Sequence, residues 1–150
     1  MATILDQIIQ AKKQNKKLLA ILLDPDKVDL FTIELLIQKI NQSPATHVFI
    51  GGSLVENNCT DQIIKTIKRH CALPIVLFPG HPSQISFEAD GILFLSLISG
   101  RNPDYLIEHQ VRSARQLFKS NLEVVPTAYL LIESGHETAV QKVSKTTPIA

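Results

Sequence analysis

Leu18-Leu19-Ala20-Ile21-Leu22-Leu23-Asp24-Pro25-Asp26-Lys27 is an unbroken apolar run that stops abruptly in a charged, proline-bearing turn. A strand buried on both faces reads this way, because cover on each side removes the need for polar alternation. Upstream of it, Ile4, Leu5, Ile8 and Ile9 recur at helical spacing ahead of Lys12, Lys13, Lys16 and Lys17. Residues 3–15 are therefore expected to form an amphipathic helix whose basic end complements its dipole. Downstream, Ile33, Leu36, Ile37 and Ile40 mark one face of a helix, and His47-Val48-Phe49-Ile50 is a second short apolar run ending at Gly51-Gly52-Ser53. The unit is strand, helix, strand.

The same grammar continues. Ile63, Ile64 and Ile67 mark a helix, Pro74 to Phe78 a third strand, Pro79-Gly80-His81-Pro82 its turn, and Ile92-Leu93-Phe94-Leu95 a fourth strand after a short link. Asn102 is a suitable helix N-cap with Pro103 at the first helical position, and Ile107, Val111, Ala114 and Phe118 are expected to line that helix's inner face. A fifth strand fits between Val124 and Ile132, with its hydrogen-bonded part expected from Thr127 because Pro126 lacks a donor. A short helix is expected from Thr138. Alternating elements of this kind specify a parallel sheet with right-handed crossovers. Two architectures satisfy them, an open doubly wound sheet and a closed (β/α)8 barrel. With 150 residues against the roughly 250 of a complete barrel, length alone favours the open sheet.

Composition agrees with one globular domain: 45% of residues are hydrophobic and 19% charged. Fifteen basic residues face 14 acidic ones, a net charge of +1, which gives no electrostatic footprint for a nucleic-acid backbone. Cys59 and Cys71 show no zinc spacing and no second pair to build a disulfide framework, so both are expected as reduced thiols. No apolar run approaches the roughly 18 residues that cross a bilayer, and the first residues lack a signal-peptide pattern. A cytoplasmic location is the expectation.

The loops after the strands carry more information than the strands themselves. Asp24 to Lys27, Gly51-Gly52-Ser53, Phe78 to Pro82, Ser96 to Arg101 and Glu133-Ser134-Gly135-His136 gather at one end of the expected sheet, the C-terminal edge where parallel α/β proteins bind ligands. Neighbouring strands lie about 4.8 Å apart, so Asp24 and Ser53 can point at a common centre. One carboxylate and one hydroxyl suit Mg²⁺, which keeps several waters and takes substrate phosphates as its remaining ligands. Taken singly, Asp24 is equally a turn aspartate before Pro25, and the double glycine equally a tight turn. Neither the dinucleotide fingerprint, the Walker loop nor the nucleophile elbow occurs, and the five histidines form no metal-binding pattern. His81 and His136 read as exposed loop residues, Glu133 as a solvated carboxylate, and Tyr105 and Tyr129 as core aromatics able to flank an apolar groove.

Taken together, the segments Leu22 to Lys27, Phe49 to Ser53, Val76 to Gly80 and Tyr129 to Gly135, in order, with Ser96 to Asp104 and Thr146 to Ile149, resemble the geranylgeranylglyceryl phosphate synthase family. Members of that family are TIM barrels that join a prenyl diphosphate to sn-glycerol 1-phosphate with Mg²⁺ as cofactor. The resemblance therefore implies a prenyltransferase of lipid biosynthesis, with residues 1–150 as the first five or so β/α units of a (β/α)8 barrel whose later strands are not in this sequence. It implies Asp24 and Ser53 as the Mg²⁺ ligands and leaves the general base unassigned. It expects the glycerol phosphate site beyond residue 150 and a homo-oligomer in the full-length protein. Leu22 stands where one branch of the family carries a lysine, which points to the branch that also occurs in bacteria. Another phosphate-binding barrel enzyme and a non-catalytic half-barrel that associates with a partner are the alternative expectations.

Overall fold

The computed structural model describes residues 3–53, 55 and 59–150. Helix α1 (Ile4–Lys13) leads into β1 (Ala20–Leu23), followed by α2 (Ile33–Gln42), β2 (His47–Ile50), α3 (Thr60–His70), β3 (Ile75–Leu77), β4 (Gly91–Leu97), α4 (His109–Phe118), β5 (Glu123–Tyr129) and α5 (Ala139–Ser144). The five strands are all parallel and lie in the order β1-β2-β3-β4-β5. A doubly wound sheet reverses its strand order at a switch point. This one does not, so the open doubly wound architecture favoured by length is not the one formed.

Uniform order with right-handed crossovers places the helices on one face of the sheet. The register shows what each face holds. Leu23, Ile50, Leu77 and Ile92 are successive partners across four strands, and all four belong to the buried core with Ile33, Ile37 and Ile40 of α2 and Ile63, Ile64 and Ile67 of α3. Each such isoleucine removed from water contributes about 1.5–3 kcal/mol. On the opposite face the partners are Leu22, Phe49, Val76 and Gly91. Here burial is uneven: Val76 is inaccessible while Leu22 is 51% exposed. The apolar run of β1 is thus buried on its helix face only, because β1 ends the sheet and its other face has no helix above it.

Two further expectations are revised. Pro126 sits inside β5, opposite Phe94 of β4, which is permitted because β5 pairs along its length with β4 alone and the proline's missing donor faces the free side. Past its end, Ile132 bridges Ile149 in parallel sense. The stripe Ile107, Val111, Ala114 and Phe118 points outward, with Ile107 61%, Val111 62% and Phe118 91% exposed. Asn102 does cap the helix, its side-chain oxygen accepting from the Asp104 amide at 3.1 Å. The next residues, Asp104–Glu108, then form a π-helical turn. Its extra residue per turn shifts the phase of everything after it, and Ser113 and Leu117 become the buried positions.

The N-terminal end of the sheet is closed by α1. Thr3 and Asp6 form a reciprocal capping box, and the two remaining first-turn amides, Ile4 and Leu5, donate to the Glu123 carboxylate, the latter at 2.8 Å. Ile4 reaches the sheet at Gly91, where a Cβ would lie 2.8 Å from its Cδ1. Glu123 therefore fastens the first helix to the fifth strand. Replacing Glu123 with Ala is expected to lower unfolding stability by about 1–2 kcal/mol, and Gln, which keeps one acceptor, by less. Equal stability of all three proteins in urea denaturation would show that the tie carries nothing.

Candidate functional site

The C-terminal ends of β1, β2 and β3 lie side by side. The Gly51 amide donates to the Leu23 carbonyl at 3.1 Å, and the Phe78 amide to the Ile50 carbonyl at 2.8 Å, so the three loops beyond them start in register. Gly51 has φ +156°, and a Cβ there would fall 1.9 Å from the Phe78 carbonyl oxygen. No side chain fits in that gap. The glycine is required by the approach of neighbouring backbone, not only by the turn.

Asp24 opens the turn Pro25–Lys27. One carboxylate oxygen accepts from the Asp26 amide at 3.2 Å, and the other pairs with Lys27 Nζ at 2.9 Å, the lysine being 82% exposed and the aspartate 25%. Gly52 lies directly over this carboxylate, since a Cβ on it would stand 3.2 Å from Asp24 Oδ1. Asp24, Lys27, Gly51, Gly52 and Ser53 line a common recess. The two residues singled out as a pair from the sequence are therefore in one place. Lys27 closes onto Asp24 from within the same turn.

A second cavity of about 180 Å³ adjoins the first. Leu22, Gly51, Gly52 and Ser53 belong to the walls of both. Its far side is apolar and aromatic, built from Phe78, Leu93, Leu95, Tyr105 and Tyr129. The Phe78 and Tyr129 rings lie 5.8 Å apart, and Phe49 meets Phe78 edge to face at 6.1 Å. Both tyrosines thus line a groove. His81, exposed as expected, also reaches this wall, 5.0 Å from the ring of His109, which in turn stands 4.9 Å from Tyr105. Burial pushes the His109 imidazole below its ordinary pKa, helped by His81 and opposed by Asp104, and burial pushes the Tyr105 hydroxyl up, helped by the charge of Asp104. Sequence reasoning missed His109, because the outward apolar stripe of α4 drew attention to the wrong face. Glu133 lines neither cavity; it is exposed and accepts from the Gly135 amide at 2.7 Å. His136 is exposed, Cys71 is a buried free thiol and Cys59 a half-buried one.

The donor set at the first recess is a carboxylate and a hydroxyl, both hard oxygen ligands. Among the described residues no cluster of three or more His, Cys, Asp or Glu side chains is placed to hold a metal. The residues fit a hydrated divalent cation completed by ligand phosphate oxygens, at a carboxylate that already holds the cationic end of Lys27.

A parallel α/β sheet wound in one direction, with a polar recess and an apolar chamber at the C-terminal ends of its strands, defines an α/β protein whose candidate site lies at the edge where such sheets hold their ligands. The PcrB family model matches residues 9–149, and the chain belongs to that family. The geranylgeranylglyceryl phosphate synthase of Flavobacterium johnsoniae is 60% identical over 149 residues, which make up 99% of this chain and 61% of that protein. The synthase of Zunongwangia profunda is 48% identical over 149 residues, 63% of its length. The crystal structure of (S)-3-O-geranylgeranylglyceryl phosphate synthase from Thermoplasma acidophilum, in complex with its substrate sn-glycerol-1-phosphate, superposes with a TM-score of 0.90 at 29% identity, covering 99% of this chain and 60% of that one. The chain spans about three-fifths of the length of these relatives.

Gly51→Ala is expected to destabilise the fold by about 1–3 kcal/mol through forced displacement of the Phe78 carbonyl, read as a lowered urea midpoint. Burial also lowers the pKa of His47, as it does that of His109. Groups whose folded pKa is depressed contribute stability that is complete above the unfolded value of 6.5 and is lost as pH falls through it. The thermal midpoint should drop as pH is lowered from 6.5 through the depressed folded-state values of these groups, and the drop should shrink in His109→Gln; an unchanged slope in that variant would show that His109 contributes none of it.

Proposed function

We propose that this chain forms the prenyl-diphosphate half of a Mg²⁺-dependent prenyltransferase that makes the ether bond between sn-glycerol 1-phosphate and a prenyl diphosphate. The observation that carries this reading is the shared wall: a recess with a carboxylate and a hydroxyl opens onto an apolar chamber through Leu22, Gly51, Gly52 and Ser53. A ligand with an anionic head and a hydrocarbon tail needs both environments in immediate succession. A sugar phosphate needs only the first. The relatives' names and the glycerol phosphate bound in the Thermoplasma acidophilum neighbour support the same activity.

In this reading Asp24 and Ser53 hold Mg²⁺, which supplies neutralisation of the negative charge that grows on the departing diphosphate. The rest is done by protein. Gly51 and Gly52, having no side chains, let the head approach backbone. Phe78, Tyr105 and Tyr129 take the tail away from water, so that its reactive carbon is presented at the rim of the sheet. The glycerol 3-hydroxyl is the nucleophile, and its phosphate is held by strands that come after the fifth in a (β/α)8 barrel. The sequential strand order and the parallel bridge of Ile132 with Ile149 support such a barrel, with residues 1–150 as its first five units. The outward apolar stripe of α4 supports self-association of the whole enzyme. None of the helices among the described residues is long and apolar enough to cross a membrane, and we place the enzyme in the cytoplasm.

Geranylgeranyl diphosphate titrated calorimetrically should bind in the presence of Mg²⁺ and lose affinity when the metal is chelated. Asp24→Asn, with circular dichroism unchanged, should weaken that binding and depress formation of organic-extractable product from sn-glycerol 1-phosphate by about 10²–10³-fold. Equal binding by the variant would remove the metal assignment, and geranylgeranyl diphosphate binding no more tightly than inorganic pyrophosphate would remove the prenyl one.

A further inference from the structure

Gln84 lies in the turn after β3 and is only 7% exposed, yet it lines neither cavity. Its carboxamide is engaged at both ends. Nε2 donates to the Gly52 carbonyl at 3.0 Å, and Oε1 accepts from the Gly80 amide at 3.1 Å. The two backbones it joins are themselves in contact: a Cβ on Gly80 would stand 2.5 Å from the Gly52 carbonyl oxygen and 2.7 Å from that of Ser53. On its other side Gly52 rests against Asp24 Oδ1. Gly52 is therefore held between the first loop and the third, and Ser53 is the next residue along.

We propose that Gln84 is a positioning residue of the diphosphate site, setting the place of Ser53 relative to Asp24 through its bond to the Gly52 carbonyl. The inference rests on the reading of Asp24 and Ser53 as the magnesium diphosphate site. The chemistry of the side chain is specific to the task. One end must donate and the other accept, over the span of a carboxamide, without charge. Alanine does neither. An ionised glutamate accepts from Gly80 but sets a second acceptor against the Gly52 carbonyl. A protonated glutamate restores the donor and is nearly isosteric with glutamine. Loss of a buried hydrogen bond costs about 1–3 kcal/mol, which corresponds to roughly 10-fold or more in affinity.

The test uses the chain with inorganic pyrophosphate and Mg²⁺ in a calorimeter, and hydrogen exchange at the Gly80 and Phe78 amides. Gln84→Ala is expected to weaken magnesium pyrophosphate binding by about 10-fold or more. Exchange at Gly80 should speed up while that at Phe78, bonded to Ile50, stays as it was. In Gln84→Glu the affinity relative to wild type should approach unity as pH falls and drop as it rises. The titratable groups nearby are His81 in the same loop and, across Gly52, Asp24 with Lys27; wild type carries them too, so the ratio cancels them. A purely structural role would lower unfolding stability and speed exchange at Phe78 along with Gly80, while leaving magnesium pyrophosphate affinity of the folded chain as in wild type. Unaltered binding in Gln84→Ala, or a flat ratio in Gln84→Glu, overturns the proposal while loss of binding in Asp24→Asn leaves the underlying site standing. A wild-type chain that does not bind magnesium pyrophosphate overturns the site reading itself.

Discussion

Two backbones meet at the C-terminal edge of this sheet more closely than side chains allow, and a third loop joins them through a carboxylate. Gly51 lies on the Phe78 carbonyl, Gly80 on the Gly52 and Ser53 carbonyls, and Gly52 on the Asp24 carboxylate. A Cβ at Gly51 or Gly80 would break its contact, and one at Gly52 would press on the Asp24 carboxylate. Their consequence is that an acid on the first loop, a hydroxyl on the second and the turn of the third behave as one rigid edge, although 29 residues separate Asp24 from Ser53 in sequence. Rigidity of this kind is what a site of few ligands needs, since one carboxylate and one hydroxyl bind an ion usefully only when their separation is fixed before the ion arrives.

Opposite ends of the sheet are stabilised by different means. At the N-terminal end, α1 is fastened by Glu123 and plugged in place by Ile4 over Gly91, contacts made of apolar burial and a completed helix cap. At the C-terminal end the contacts are backbone on backbone, with Gln84 as the polar strut. The first arrangement tolerates changes in side-chain size at modest cost. The second tolerates almost none, because carbonyls and amides cannot shift without disturbing the strand ends that carry them.

Much of this edge is legible in the sequence because its signals are local. An apolar run that ends in Asp24-Pro25-Asp26-Lys27 and another that ends in Gly51-Gly52-Ser53 announce both strands and their loops, and parallel pairing brings the ends together. Gln84 is not legible. Both of its partners are main-chain groups, one of them in a loop more than 30 residues earlier, and a lone glutamine in a turn carries no periodicity. His109 is hidden for a related reason. The π-turn at Asp104–Glu108 shifts the phase of α4, so the apolar stripe Ile107, Val111, Ala114 and Phe118 faces outward while the polar-looking face, with His109, Gln110 and Ser113, lines the chamber. The period itself holds, since the four stripe residues share one face; which face turns inward depends on the π-turn, and a period alone does not carry that.

The alternation of a strand explains how a polar and an apolar compartment come to share a wall. Successive residues point to opposite faces, so Leu23 enters the helix-side core while Leu22 turns to the open face, where it borders both cavities. Leu22 is 51% exposed, on the uncovered face of the strand that ends the sheet, and its cross-strand partner is Phe49, whose ring leads on to Phe78 and Tyr129. The apolar row on this face runs directly to the loops that carry Asp24 and Ser53. No separate element has to be recruited to join the polar recess and the apolar chamber: the last turn of pleat before the loop divides them, and both open from the same strand ends.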